Sequence, residues 1–150
     1  MRLTNFSDYA LRMLMYAASA GERLITIEEA ARVFGVSKTH LNKVANTLTR
    51  AGYLKAVRGR SGGLTLGRAP EDIGIGDVIR LTEPDFALVE CFATGSQCVL
   101  TQRCKLSGML IDAMASFQAT LDRYTLADIA LKPRDFGARV PERHLVEAEP

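Results

Sequence analysis

The sequence predicts a mainly α-helical fold with a small β-hairpin wing: a winged helix-turn-helix followed by a long dimerisation helix. Three observations predict it: two short helices joined by a glycine turn, a glycine-rich segment of alternating residues directly after them, and a long amphipathic helix nearer the C-terminus. The 150 residues are 47% hydrophobic and 24% charged, which is ordinary for a globular protein with its own core. The early apolar run at 11–20 is interrupted by Arg12 and is too short to cross a bilayer, so we expect a cytoplasmic protein.

The first helix is expected over residues 6–20, which are rich in Ala, Leu and Met. Ser7 or Asp8 is expected to cap its N-terminus, and Gly21 ends it. Because almost every position from 9 to 18 is apolar, this helix is predicted to be buried on more than one side.

The next two helices have the spacing of a helix-turn-helix. Thr26 and Glu29 have the spacing of a capping box, in which each side chain is expected to bind the backbone amide of the other residue. The helix that they open ends at Gly35, which can adopt the positive φ of a tight turn, and Ser37 caps the helix that follows. A small residue before this glycine and two apolar residues after it allow the two helices to pack closely. These residues are Ala31, Leu41 and Val44.

Residues 53–67 change to a period of two around a glycine-rich centre, which predicts a β-hairpin with a narrow tip. A short helix is expected at 77–82, and a long helix from Lys105 to about Tyr124 has one apolar stripe. The stripe consists of Leu106, Leu110, Ala113, Phe117, Leu121 and Tyr124, widened by Met109 and Met114.

After the long helix, Thr125 and Asp128 are expected to cap a final short turn. Beyond Lys132 the sequence has no periodicity, which predicts a loose tail. The chain is therefore divided into a winged helix-turn-helix over 1–83, a cysteine loop over 84–104, a dimerisation helix and final turn over 105–131, and a loose C-terminal tail over 132–150.

Charge is distributed unevenly along the chain. Residues 1–70 carry eleven Lys and Arg and four Asp and Glu, a net charge of +7, whereas the other 80 residues carry a net charge of −5. A basic half joined to an acidic half indicates that the first half meets a polyanion. A chance asymmetry between two solvated surfaces is the alternative on charge alone.

A helix-turn-helix followed by a wing predicts binding to double-stranded DNA. The second helix is expected to lie in the major groove, where Lys pairs with guanine and Asn with adenine, and two arginines at the hairpin tip suit the minor groove or its phosphates. The alternatives are an ordinary solvated helix face and a winged helix that binds protein. The predicted DNA-binding residues are Ser37, Lys38, Thr39, His40, Asn42, Lys43 and Asn46 on the helix, and Arg58 and Arg60 on the wing.

Three cysteines, Cys91, Cys98 and Cys104, lie within fourteen residues. An odd number in a chain without an export signal argues against a disulfide framework, and the clustering indicates a metal or redox site. A zinc site needs a fourth Cys or His at a suitable spacing, but His40 and His144 are distant in sequence. Three thiolates fit an iron–sulfur cluster whose fourth ligand comes from elsewhere. Structural cysteines and a metal-free thiol redox sensor are the alternatives. The sequence contains no pairing of a nucleophile with a base that would indicate an enzyme.

Five segments of the chain resemble the iron–sulfur winged-helix repressors, the family that holds the NsrR, RirA and IscR groups. They are MRLTNFSDYALRMLMYAA at the start, VRGRSGGLTLG in the hairpin, IGDVIRLTE, the three-cysteine loop and YTLADIA. The resemblance covers about residues 1–131 and is greatest to the NsrR group, which senses nitric oxide. The start of the chain and FALVECF in the loop also resemble the iron-responsive RirA group, which is the alternative.

This resemblance implies a homodimeric repressor of a palindromic DNA operator, with an iron–sulfur cluster on the three cysteines and nitric oxide as the signal. It also implies that Asp8 of the partner subunit is the fourth ligand. Ser107 stands where the IscR group has a ligating His, which favours a [4Fe–4S] cluster over a [2Fe–2S] cluster. The alternative for Asp8 is an acid that stabilises the helix N-terminus or pairs with Arg12 four residues later.

Overall fold

The computed structural model describes residues 2–100 and 103–139, and it confirms a mainly α-helical fold with one β-hairpin in these residues. Its helices are α1 (Asn5–Ser19), α2 (Ile27–Phe34), α3 (Lys38–Arg50), α4 (Ile75–Thr82) and α5 (Lys105–Leu121). Its strands are β1 (Leu54–Val57) and β2 (Gly63–Leu66). Short 3₁₀ segments lie at Pro70–Asp72, Glu90–Phe92, Leu126–Ile129 and Pro133–Arg139.

Helix α1 is capped by Thr4, whose side chain accepts a hydrogen bond from the backbone amide of Ser7 at 3.3 Å. The prediction that Ser7 or Asp8 caps this helix is therefore wrong. Ser7 is fully buried, and its hydroxyl accepts a hydrogen bond from Thr82 on α4 at 2.8 Å instead. As predicted, α1 is buried on more than one side. Its buried apolar residues are Ala10, Met13, Leu14, Tyr16 and Ala17.

Helices α2 and α3 form the predicted helix-turn-helix. Gly35 ends α2 in the left-handed conformation, with φ of 66°, and Ser37 caps α3 by accepting a hydrogen bond from the amide of His40 at 3.3 Å. The inward side of α3 is at most 3% exposed, and each large apolar side chain buried in this way contributes about 1.5–3 kcal/mol to folding. These inward residues are Leu41, Val44, Ala45 and Leu48.

The capping box predicted for α2 is only half formed. Thr26 accepts a hydrogen bond from the amide of Glu29 at 3.1 Å, but the side chain of Glu29 turns into the core and is 1% exposed. One of its carboxylate oxygens accepts hydrogen bonds from the hydroxyl of Tyr16 and from Arg23, the latter at 2.7 Å. A buried carboxylate needs such partners because the loss of hydration is costly.

The wing is a two-stranded antiparallel hairpin in which Leu54 pairs with Leu66 and Val57 with Gly63. It is joined to the helix-turn-helix by a third short pairing, because Ile25, just before α2, exchanges two backbone hydrogen bonds with Leu64, at 2.9 and 2.7 Å. The wing therefore has a fixed position beside the start of α2.

Helix α5 ends at Leu121, earlier than predicted, and none of its residues is buried. Its C-terminal end is attached to the start of α4 by backbone hydrogen bonds from Ile75 to Tyr124 at 2.9 Å and from Leu126 to Ile73 at 2.8 Å. Leu126 itself is fully buried in the hydrophobic core that α1, α2 and α3 also line. The capping box expected after this helix, between Thr125 and Asp128, is present.

The start of the expected loose tail has a defined conformation. Residues 133–139 form 3₁₀ turns, and the ring of Phe136 packs edge-on against Tyr16 and Phe34, with centroids 5.2 and 6.3 Å apart. The expectation of a loose segment is therefore wrong for this stretch. The sequence did not reveal the contact, because one aromatic residue that packs on the core leaves no periodic pattern. The remainder of the expected tail, 140–150, lies outside the described residues.

Candidate DNA-binding surface and cysteine site

All nine residues predicted to bind DNA are exposed. Seven lie on α3 or at its cap, and because the opposite side of this helix is buried in the core, its exposed side is held in a fixed orientation. The other two, Arg58 and Arg60, lie in the turn between β1 and β2. From residue 37 to residue 70 the chain has no Asp or Glu, so every charged side chain that this stretch contributes to the surface is basic. Such a surface suits the phosphates and groove edges of DNA.

Two of the predicted DNA-binding residues already have partners within the chain. The hydroxyl of Ser37 caps α3, and the ammonium of Lys38 lies 3.4 Å from the carboxylate of Glu28 on α2. Lys43 and His40 line a shallow apolar pocket of about 240 Å³ between α3 and the start of α1. Sequence reasoning did not place the start of α1 beside the recognition helix, because no local pattern relates the two segments.

Arg68 is basic and exposed but is directed to the protein itself. Its guanidinium donates to the carbonyl oxygens of Ala51 at 2.7 Å and Gly52 at 3.2 Å, and it lies 4.6 Å from the centre of the Tyr53 ring. These contacts satisfy carbonyl groups at the C-terminal end of α3, where a cation is favourable. Arg68 therefore stabilises the C-terminal end of the recognition helix, α3.

The structure brings the three predicted cysteine ligands to one small pocket. Cys91, Cys98 and Cys104 are all half-buried and line a largely apolar space of about 200 Å³ at the N-terminal end of α5. We refer to it as the cysteine pocket. Its other lining residues are Val89, Glu90, Leu100, Leu106, Ser107 and Leu110. Cys104 is the residue directly before α5, and the hydroxyl of Ser107 donates to its carbonyl at 2.8 Å.

The donor set of this pocket suits a cluster better than a single ion. Within residues 2–100 and 103–139, no three His, Cys, Asp or Glu side chains converge closely enough to hold one metal ion. An iron–sulfur cluster has a different requirement, because each thiolate binds a different iron at the periphery of the cluster. Three thiols distributed around an apolar pocket fit that requirement.

Asp8 is not among the residues that line the cysteine pocket of its own chain. Its side chain is 44% exposed, and both carboxylate oxygens contact Arg12 on the next turn of α1, at 2.8 and 2.9 Å. The alternative interpretation of Asp8, an ion pair along the helix, therefore describes its contacts within one chain. Its role toward a second chain stays a prediction.

A second set of polar contacts joins the start of α1 to the end of α4, and we refer to it as the α1–α4 clamp. It consists of Thr4, Ser7, Thr82 and Glu83. Glu83 accepts hydrogen bonds from the amide and the hydroxyl of Thr4, at 2.8 and 3.1 Å. The next residue, Pro84, begins the loop that carries the cysteines. The base of that loop is therefore fixed to the cap of the helix that carries Asp8, a relation that sequence reasoning missed.

Comparison with known families matches residues 3–132 to Rrf2, which is described as an iron-dependent transcriptional regulator. The chain belongs to the Rrf2 family. It is 44% identical to the HTH-type transcriptional regulator NsrR of Bacillus subtilis over 137 residues, covering 90% of this chain and 94% of that protein. It is 45% identical to the NsrR of Bacillus licheniformis, covering 87% and 93% of the two chains. The resemblance found in the sequence is thereby confirmed.

Solved structures of Rrf2-type fold agree with this assignment. IscR of T. potens superposes with a TM-score of 0.69 at 26% identity, covering 86% of this chain and 85% of that one. CymR, the global cysteine regulator of B. subtilis, gives a TM-score of 0.66 at 27% identity over 87% and 96% of the chains. The chain is thus a transcriptional regulator with a winged helix-turn-helix. None of the helices in the described residues is long and apolar enough to cross a membrane.

Proposed function

We propose that this protein is a homodimeric, iron–sulfur-dependent repressor that releases a palindromic operator when it encounters nitric oxide. The observation that carries the proposal is the cysteine pocket, which places three thiols around one apolar space at the start of α5. The similarity to regulators named NsrR, at 44–45% identity over nearly the whole chain, supports the assignment of the signal.

The exposed apolar surface of α5 supports the homodimer. Leu106, Met109 and Ile111 are 58, 66 and 55% exposed, although they lie on a helix with a high apolar content. Large apolar side chains clustered on one exposed helix mark a protein contact, and a second copy of α5 supplies a matching surface. A dimer of this kind presents two recognition helices to two half-sites of a palindrome.

The residues proposed to hold the cluster are Cys91, Cys98, Cys104 and Asp8 of the partner subunit. When bound, the cluster supplies iron atoms to which nitric oxide can bind. The apolar side chains of the cysteine pocket surround the three thiols, and Asp8 is a harder ligand than a thiolate. A ligand from α1 ties the helix-turn-helix of one subunit to the cysteine loop of the other, so the state of that bond influences the separation of the two recognition helices.

On DNA, we assign base contacts to Lys38, His40, Asn42, Lys43 and Asn46, and phosphate contacts to Ser37 and Thr39. The wing arginines are assigned to the minor groove or its phosphates. The absence of acidic residues between positions 37 and 70 supports a continuous contact with the DNA backbone.

The proposal is tested by DNA binding of the anaerobically purified chain before and after stoichiometric nitric oxide, with visible absorbance followed in the same sample. We expect a coloured protein that binds a palindromic duplex and loses affinity as the absorbance changes. A matched control is Cys98→Ser, which should bind little or no cluster and show no response to nitric oxide.

An iron-responsive regulator is the second candidate, favoured by the description of the Rrf2 family as iron-dependent. Binding that ignores nitric oxide but falls on iron chelation would select this alternative. A colourless protein whose binding changes only on thiol oxidation would select a metal-free thiol regulator.

A further inference from the structure

Helices α4 and α5 meet at one close contact, which we name the α4–α5 junction and define as Gly76, Arg80 and Asp122. Arg80 on α4 donates to the carboxylate of Asp122, just after α5, at 2.7 Å, and also to Asp77 on its own helix at 2.7 Å. Gly76 provides the space for this approach, because a Cβ at that position would overlap the carboxylate of Asp122. The junction thus depends on a glycine in α4, Gly76, and on the negative charge of Asp122 just after α5.

The junction and the neighbouring backbone bridge hold only one end of α5. Gly74 and Thr125 form an isolated antiparallel bridge, and Leu126 is buried in the core beside α1 and α3. No residue within α5 is buried, and its N-terminal part carries Leu106 and Met109, which are among the most exposed apolar residues of the described chain. Elsewhere α5 faces the cysteine loop, through Leu106 and Leu110 in the cysteine pocket and Phe117 in a second pocket. The hydrogen bonds that orient α5 relative to the helix-turn-helix lie at residues 73–80 and 122–126.

We propose that Arg80 and Asp122 determine which spacing between DNA half-sites the dimer accepts. The inference rests on the proposed homodimer, because α5 then connects each helix-turn-helix to its mate. Helix α5 has 17 residues and is about 25 Å long, so a small change of angle at its C-terminal end displaces the recognition helix by several ångströms. One base pair changes half-site separation by about 3.4 Å and rotates the site by about a tenth of a turn.

The contact acts on specificity more than on stability. Asp122 and Arg80 are 47 and 39% exposed, and exposed ion pairs contribute little to folding free energy. Gly76 lies inside a helix, where alanine is the better helix former. Substitutions at the junction are therefore expected to leave a folded protein in which α5 is held less firmly against α4.

The test compares the full-length wild type with Asp122→Ala and Gly76→Ala. The probes are duplexes that carry the palindrome selected by the wild type from random DNA, with the spacer between half-sites lengthened or shortened by one base pair. We expect the wild type to discriminate strongly between spacers, and each variant to lose discrimination by about fivefold or more, the lower range of coupling between protein sites. Glu22→Ala, at an exposed acid in the turn after α1 and outside both α5 and the junction, is the matched control.

The ratio of affinities between spacers separates this role from simple destabilisation, which weakens binding to all probes alike. The double variant Gly76→Ala/Asp122→Ala should lose no more discrimination than the stronger single variant, since both remove the same contact. If Asp122→Ala fails to fold, Asp122→Asn removes the charge at nearly constant size. Discrimination within twofold of the wild type in both single variants would overturn the inference while leaving the repressor intact. A wild type that binds DNA as a monomer would overturn the inference together with the proposed dimer, whereas loss of nitric oxide sensitivity alone would not affect it.

Discussion

Thr4 donates both its backbone amide and its hydroxyl to one carboxylate oxygen of Glu83, at 2.8 and 3.1 Å. Thr4 also caps α1, and Glu83 is the last residue before the loop that carries the cysteines. A carboxylate at this position is favourable for α1, because helix N-termini carry partial positive charge. The contact fixes the cysteine loop to the helix on which the recognition helix packs, so we expect a change in one to be transmitted to the other.

Glu83→Gln is expected to weaken this transmission. The neutral amide can still accept hydrogen bonds from Thr4, but these bonds no longer involve a charged group. A hydrogen bond to a charged group contributes about 1 kcal/mol more to stability than a neutral one. We expect cluster content close to wild type but a smaller difference in DNA affinity between the cluster-loaded and the cluster-free protein. Glu71→Gln, at an exposed acid outside the α1–α4 clamp, is the control. An unchanged affinity ratio in Glu83→Gln would show that the clamp does not couple the two sites.

Asp8→Ala is expected to leave the fold intact, because an exposed ion pair four residues apart on a helix contributes only about 0.3–0.5 kcal/mol. If Asp8 ligates the cluster of the partner subunit, the variant should lose the cluster faster in air, which visible absorbance follows. Arg12→Ala separates the two roles of Asp8, since it removes the same ion pair but keeps the carboxylate. Equal cluster lifetimes in Asp8→Ala and wild type would exclude Asp8 as a ligand.

Arg58→Ala and Arg60→Ala are expected to weaken DNA binding and reduce its salt dependence. Each phosphate contact that is lost lowers the slope of log K against log salt concentration by about 0.9. Binding titrations at four or more salt concentrations measure the slope. Arg123→Ala removes an exposed arginine outside the basic half of the chain and should leave the slope unchanged. Identical slopes in the wing variants and the wild type would indicate that the wing does not contact DNA.

Much of the fold could be predicted because it depends on local signals. Gly35 and Ser37 mark the helix-turn-helix by conformation and capping, and the exposed residues of α3 follow from its apolar period. The contacts that sequence reasoning missed are long-range polar ones. Glu29 has the local pattern of a capping box, but Tyr16 and Arg23 compete for its carboxylate from other segments. Likewise, nothing local relates Thr4 to Glu83, which lie 79 residues apart.

The buried contact between Tyr16 and Glu29 makes a prediction about stability in alkaline solution. Burial and the hydrogen bond to Glu29 raise the pKa of Tyr16 to about 12, whereas an unfolded tyrosine titrates near pH 10. Between these values the folded chain holds a proton that the unfolded chain has lost, so stability falls as pH rises. Tyr16→Phe should cost about 1–3 kcal/mol at pH 8, because Glu29 loses one of its two donors.

The difference between wild type and Tyr16→Phe should then shrink from pH 10 upward, because only the wild type carries the buried phenol. Denaturant unfolding at pH 8, 10 and 11 measures the two free energies, and tyrosinate absorbance of the folded proteins reports the ionisation directly. Tyr124→Phe is the control, since this tyrosine is 46% exposed and takes no part in the contact between Tyr16 and Glu29. A constant difference in the free energy of unfolding between wild type and Tyr16→Phe across this range would contradict the prediction. It would mean that Tyr16 loses its proton as readily in the folded chain as in the unfolded one, despite the hydrogen bond to Glu29.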